Sequence, residues 1–360
     1  MWTRPEGLTI KRLDSMFDSQ TNLTSIDKWT LDTSTATDMK SMFYTCSNLT
    51  AVNLSGLDTS NAMNMSTMFS FCQKLTSLDL SNFNTSNVSD MHSMFYTCSG
   101  LTSLDLSSFD FSSVTDMRTM FMRCKTVTIT GFAGKDIHSC TNIKQMFAEC
   151  YALENVDFTG VNFSSVTDMS GMFNTSKIKS VSFRNANLSS VTDMSGMFIQ
   201  QGGRLKTADF SGCDLSKVTD IHNMFSFQTN LTAVNFGDKM RNVQNADSAF
   251  LNCSSLTSLP DIGFAGDSVN ISRLCGNSDG GGSIVSEIGD VLTIRGGTIT
   301  SMDYAFTNQP NIEFLYLFSD IGLTAAPTSA FAGCSALKTV TVNENEHILA
   351  ALNTDLPDKN

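Results

Sequence analysis

The chain has 360 residues, 23 basic against 35 acidic, for a net charge of −12, and it is rich in Phe (26) and Met (20). No run of Lys or Arg exists to follow a phosphate backbone or an anionic lipid surface, which argues against nucleic acid and membrane surfaces as partners. No apolar run approaches the roughly 18 residues that a spanning helix needs, so no membrane insertion is expected.

The first ten residues, Met1 to Ile10, lack the apolar core of a secretory signal. Trp2 and Leu8 are expected to cover that end, or another chain packs there. From residue 16 onward a Met-Phe pair recurs at Met16-Phe17, Met42-Phe43, Met68-Phe69, Met94-Phe95, Met120-Phe121, Met146-Phe147 and Met172-Phe173. Each step is 26 residues, loosening slightly to Phe198, Phe225 and Phe250. A fixed period of this size marks a solenoid, in which each unit buries its apolar face only against its neighbours. About 13 layers at roughly 4.8 Å each would give a rod on the order of 60 Å long.

Within one period, Met91, Met94, Phe95 and Cys98 fall at i, i+3, i+4 and i+7, which predicts a short helix. Ser89 or Thr115 stands where an N-cap would, and Asp38, Asp90, Asp116, Asp168, Asp193 and Asp220 would open that helix. Leu101, Leu104 and Leu106 then show the L-x-x-L-x-L spacing of a short strand, repeated at Leu49–Leu54, Leu75–Leu80, Leu153–Phe158, Leu205–Phe210, Leu231–Phe236 and Leu337–Val342. Leu104 and Leu106 point inward, leaving Ser103 and Asp105 on the open face. A third apolar site, such as Phe83, Phe109 or Phe163, closes each layer from the returning loop.

These residues carry a resemblance. The D-M-x-x-M-F-x-x-C-x-x-L helix followed by L-x-x-L-x-L resembles the surface-lipoprotein repeat of mycoplasmas, a variant of the BspA-like leucine-rich repeats of bacterial surface proteins. Ala330 to Val340, A-F-A-G-C-S-A-L-K-T-V, is close to the BspA pattern itself. The resemblance covers roughly residues 8–345. It implies a right-handed leucine-rich-repeat solenoid of the α/β repeat class, with a parallel strand face and short helices on the other side. It further implies adhesion and no catalytic residues.

The expected organisation is a main array over 1–275, a Gly/Ser-rich interrupting loop at 276–290, divergent BspA-like repeats over 291–343, and a C-terminal cap or tail at 344–360.

Cys46, Cys72, Cys98, Cys124 and Cys150 repeat at 26-residue steps on the apolar face, with Cys253 and Cys334 in the same slot. They read as stacked, buried free thiols. Asn53, Asp79, Asp105, Asp157, Asp209 and Asn235 form a polar column on the strand face, with Ser77 and Ser103 beside it. That column is the candidate binding surface; divalent-cation binding along it is the competing reading. The four histidines (His92, His138, His222, His347) are read as scattered, with no shared repeat position. No catalytic set, cofactor motif or metal motif assembles.

The function expected is therefore a non-enzymatic binding or adhesion solenoid for a protein or glycan surface ligand, on a bacterial cell surface or a phage virion. The alternative is a structural virion component (tail-fibre or decoration protein) or a scaffold with no ligand of its own. Residues that break the repeat, among them Arg184, Arg204, Lys206, Tyr304, Phe314 and Tyr316, are the further binding candidates.

Overall fold

A computed structural model of the chain describes residues 10–27, 31–125, 128–200, 202–256, 259–276, 291–343 and 345–356. The expected covering of the first layer by Trp2 and Leu8, nearly all of the loop at 276–290, and the last four residues of the tail lie outside these. The chain forms two compact units, residues 1–166 and 167–360.

The first unit contains β1 (Ser25–Ile26), β2 (Ala51–Val52), β3 (Ser103–Asp105), β4 (Thr128–Thr130) and β5 (Asn155–Asp157). The pairs β1–β2, β3–β4 and β4–β5 are parallel and one repeat apart, with Ser103 against Thr128 and Asp105 against Thr130. The second unit contains β6 (Ser180–Ser182), β7 (Thr207–Asp209), β8 (Ala233–Asn235), β9 (Val269–Asn270), β10 (Val291–Ser301), β11 (Phe314–Ile321), β12 (Thr339–Val342) and the helix α1 (Glu346–Asp355). Its strand pairs are likewise all parallel. Each unit is thus a parallel-strand solenoid.

Where the sequence predicts a short helix in every repeat, the chain makes turns instead, and α1 is the only α-helix among the described residues. In the layer at 91–98, alternate amides donate to the next layer: Met91 to Asp116 O (3.0 Å), Ser93 to Arg118 O (3.0 Å), Phe95 to Met120 O (2.9 Å) and Thr97 to Met122 O (2.9 Å). The amides between them close tight turns three residues back, as from Tyr96 to Ser93 O and from Cys98 to Phe95 O. An α-helix would instead turn its amides past the first turn back onto its own carbonyls, leaving none of those to bond the next layer. The turns require left-handed backbone at Ser93 (φ 53°) and Thr97 (φ 58°), four residues apart. The same two columns recur through the chain, and Gly171 and Gly196 fill the first of them in two repeats. Left-handed L-residues cost about 1 kcal/mol or more each. The bonds to the next layer and the apolar face they bury offset that cost.

The core is built of columns. Phe17, Phe43, Phe69, Phe95, Phe121 and Phe147 stack with ring centroids 5.1–5.8 Å apart and planes within 10°. In the second unit Phe173, Phe198, Phe225 and Phe250 stack the same way, 5.2–5.5 Å apart. Met39, Met65, Met91 and Met117 form a buried column beside the first stack.

All ten cysteines are free and buried, as expected. The thiols of Cys46, Cys72, Cys98, Cys124 and Cys150 each donate to the carbonyl of a Phe 29 residues earlier, at 2.9–3.2 Å. Burial pushes Cys140 and Cys334 up to about 12 and Cys213 up to about 11, so these thiols stay protonated and unreactive.

Two expected outcomes follow. Phe95→Ala removes a fully buried ring from the middle of its stack and should cost about 3–5 kcal/mol in denaturant-unfolding free energy. Iodoacetamide at pH 8 should leave the folded protein unlabelled by mass spectrometry and add ten groups after denaturation; rapid labelling of the native chain would contradict the thiol column.

Candidate binding face

The strand-face residues lie on the outer side of their layers, Asn53 to Asp157 in the first unit and Asp209 and Asn235 in the second. Asn53, Ser77, Asp79, Ser103, Asp105, Asp157 and Asn235 are exposed and Asp209 is half-buried. Asp209 stands in register with Asn235, and Asp105 with Thr130, whose hydroxyl donates to Asp105 Oδ1 at 3.1 Å. Ser77 and Asp79 share this exposed position although their layer forms no strand of its own.

The structure adds a role that the spacing does not announce. The Oδ1 of Asn53, Asp79, Asp105, Asp157, Asp209 and Asn235 each accepts the backbone N–H two residues on, at 2.9–3.0 Å. Each therefore forms an Asx turn that bends the chain out of the strand. A second Asx column runs through Asp38, Asn64, Asp90, Asp116, Asn142, Asp168, Asp193 and Asp220. The six aspartates among them are the residues expected to open helices; with Asn64 and Asn142 they make turns and parallel bridges between layers instead. A third column, Asp58, Asn84, Asp110, Asn162 and Asp214, does the same at another corner. The D/N-x-S spacing carries this signal throughout the third column and at most positions of the first, whereas in the second Lys, His or Arg follows at five of eight places.

Buried threonines tie the third corner. Thr85 donates to Asp110 O and accepts from Asp110 N–H, both at 2.8 Å, and Thr59 treats Asn84 in the same way.

What the face offers a partner is the remainder. Among the described residues no hydrogen bond reaches the second oxygen of Asp79, Asp105, Asp157 or Asp209, or the hydroxyls of Ser77 and Ser103. Thr50 and Thr232 are already committed, each to the carbonyl of the preceding layer at 3.0 Å. Hydrogen bonds from Ser81 hold Asp79 below its ordinary value of 3.8, and those from Ser107 and then Thr130 do so for Asp105. Both stay ionised at neutral pH.

The histidines require a correction. His92 and His222 are 130 residues apart, five periods of 26, and so share one repeat position. Each ring Nδ1 sits against the Asx carboxylate two residues earlier, 2.7 Å from Asp90 and 2.8 Å from Asp220. His138 repeats the arrangement on Asp136 at 3.0 Å in another column. Asp90, His92 and Asp116 bring three potential ligand atoms within 4.8 Å of one another. Arg118 already pairs with Asp116 there, supplying the positive charge.

No helix among the described residues is long and apolar enough to cross a membrane.

Parallel layers of one short strand, an inward L-x-x-L-x-L face and an outward polar column define a leucine-rich-repeat type of solenoid. Residues 11–132 and 137–261 match the family described as "Mycoplasma protein of unknown function, DUF285", and the chain belongs to that family. Residues 291–351 match the "BspA type Leucine rich repeat region".

Among solved structures, a leucine-rich cell surface protein from Faecalibacterium prausnitzii is similar at 17% identity and a TM-score of 0.37, covering 89% of this chain and 80% of that one. A leucine-rich repeat protein from Bacteroides ovatus shows 13% identity and a TM-score of 0.27 over 92% of this chain and 63% of that one. The chain in a TLR13–ssRNA13 complex shows 14% identity and a TM-score of 0.25 over 92% and 60%. No curated protein sequence matches the chain.

The lowered aspartates set a pH window. A carboxylate whose folded value is depressed contributes stability above its unfolded value, and that stability is lost as pH falls through the folded value. Asp79, Asp105, Asp110 and Asp214 all shift downward. The melting temperature should therefore fall as pH drops below about 4. A variant with Asn at these four positions keeps the accepting oxygen, as Asn53 and Asn235 already do, and should show a flatter acid limb in a thermal-shift titration.

Proposed function

We propose that the chain is a non-enzymatic adhesion solenoid, right-handed like the BspA-type repeats, that recognises a protein or glycan ligand through its polar, acidic strand face on a bacterial surface or a virion. The observation that carries this reading is the set of exposed carboxylate oxygens and hydroxyls left without partners on the strand face, at Ser77, Asp79, Ser103, Asp105 and Asp157 in the first unit and at Asp209 in the second. Between the adjacent layers of Asp79 and Asp105 these acceptors recur at about one inter-strand spacing of 4.8 Å, and the Thr130 layer stands between Asp105 and Asp157. A ligand with repeated donors would meet them in sequence, each contact modest and the sum selective. The BspA-type match over 291–351 supports a surface role.

The test is retention of the full chain, coated on beads, on a panel of purified extracellular-matrix proteins and immobilised oligosaccharides. Reversing the face with Ser103→Lys and Asp105→Lys should weaken retention on whichever surface binds by about tenfold or more. Retention no better than on serum albumin, or unaffected by the pair of substitutions, would overturn the reading. Immunogold electron microscopy of source cells and particles then separates the placements, with label expected on the cell envelope or on virions.

A further inference from the structure

The longest strands of the chain carry a surface unlike the rest. β10 has 11 residues and β11 has eight, against two to four in every other strand. In β11, Leu315 and Leu317 are buried, while the alternate residues Phe314, Tyr316 and Phe318 lie on the outer face. Phe318 is 57% exposed, and its ring stacks on Tyr316 at 5.7 Å with planes 18° apart. Arg295 of β10 is in register with Phe318 and lies over its ring, 5.9 Å from the centroid. Thr293 and Thr341 flank Tyr316 in register from either side.

The position of Arg295 is enforced. Gly296 and Gly297 follow it with φ 83° and 64°, and the β10–β11 register shifts there. A Cβ on Gly296 would meet Phe264 O at 2.2 Å, and one on Gly297 would meet Val269 Cγ2 at 2.6 Å, so the bulge cannot be filled. Phe264 N–H also donates to Arg295 O at 3.0 Å. Bulges of this kind re-aim the neighbouring side chain. Nearby cations have acidic partners, Arg241 with Asp261, Arg273 with Asp247 and Lys338 with Glu313. Arg295 has no carboxylate partner among the described residues.

We infer that the outer face of β10–β12 is a docking anchor for a protein segment that presents a carboxylate beside an aromatic or large aliphatic side chain. Arg295 supplies a fork of donors matched to a carboxylate, and Phe318 with Tyr316 supplies apolar area at small entropic cost. Exposed aromatic and Arg residues side by side are the composition of an interface hot spot. With Tyr316 stacked on it and Arg295 over it, the Phe318 ring favours side chains that meet its edge over a pyranose that needs a bare face. The inference rests on reading the chain as a binding protein, though not on the aspartate column.

The experiment uses the full chain and immobilised 12-residue peptides that pair Phe, Trp or Leu with Asp or Glu at one- to three-residue spacings, each beside its Asn or Gln twin. Acidic peptides should bind at least about tenfold more tightly than their amide twins. Phe318→Ser and Arg295→Gln should each abolish that preference while the melting temperature stays unchanged. Equal binding of acid and amide twins, no peptide binding above background, or full binding by both variants would overturn the inference. Asp105→Lys should leave peptide binding intact; loss there with Phe318→Ser silent would assign the peptides to the aspartate column instead.

Discussion

Hydrogen bonding from each layer to the next, about one 26-residue repeat away, is the constraint on which this protein depends. It acts on more than the strands. The segment after each Asx residue of the second column sends alternate amides forward to the following layer, so that the side away from the strands is laddered as well. Because every layer repeats the same register, each residue type meets its own copy. Phenylalanine therefore stacks on phenylalanine, and Cys46, Cys72, Cys98, Cys124 and Cys150 each reach the carbonyl of a phenylalanine one layer back. The steps to Phe198, Phe225 and Phe250 vary by one residue about the period, and the rings still stack, so the turns absorb the extra or missing residue while the column is kept.

The same constraint explains the unusual polar composition. Turning a chain several times within 26 residues without helices leaves many backbone amides at corners, and each needs an acceptor. Asp and Asn supply it two residues back, with Ser most often following. Much of the acidic excess is thus architectural before it is functional. In the strand-face aspartates one oxygen makes the turn and the other stays open.

The fold was legible because the apolar positions repeat at a constant interval, and the thiol column followed from Cys98 and its copies sharing the buried face. The expected helix was misread for a specific reason. Met91, Met94, Phe95 and Cys98 satisfy helical spacing, yet two successive four-residue turns place the same side chains inward. Only the left-handed residues Ser93 and Thr97 distinguish them, and neither is a glycine that would have advertised it. The histidine pairing at Asp90-His92 and Asp220-His222 was present in the numbering, but its meaning depends on the Asx turn that brings each imidazole onto its carboxylate.

By itself, the sequence determined the repeat, the buried columns of Phe, Met and Cys, and the polarity of the strand face, because these follow from residue type recurring at one period. The tertiary structure alone decided how the amides are shared between layers, which oxygens the corners consume, and that Arg295 stands over Phe318 across 23 residues of sequence. Those outcomes depend on which atoms the stacking brings together, and a one-dimensional pattern does not record that.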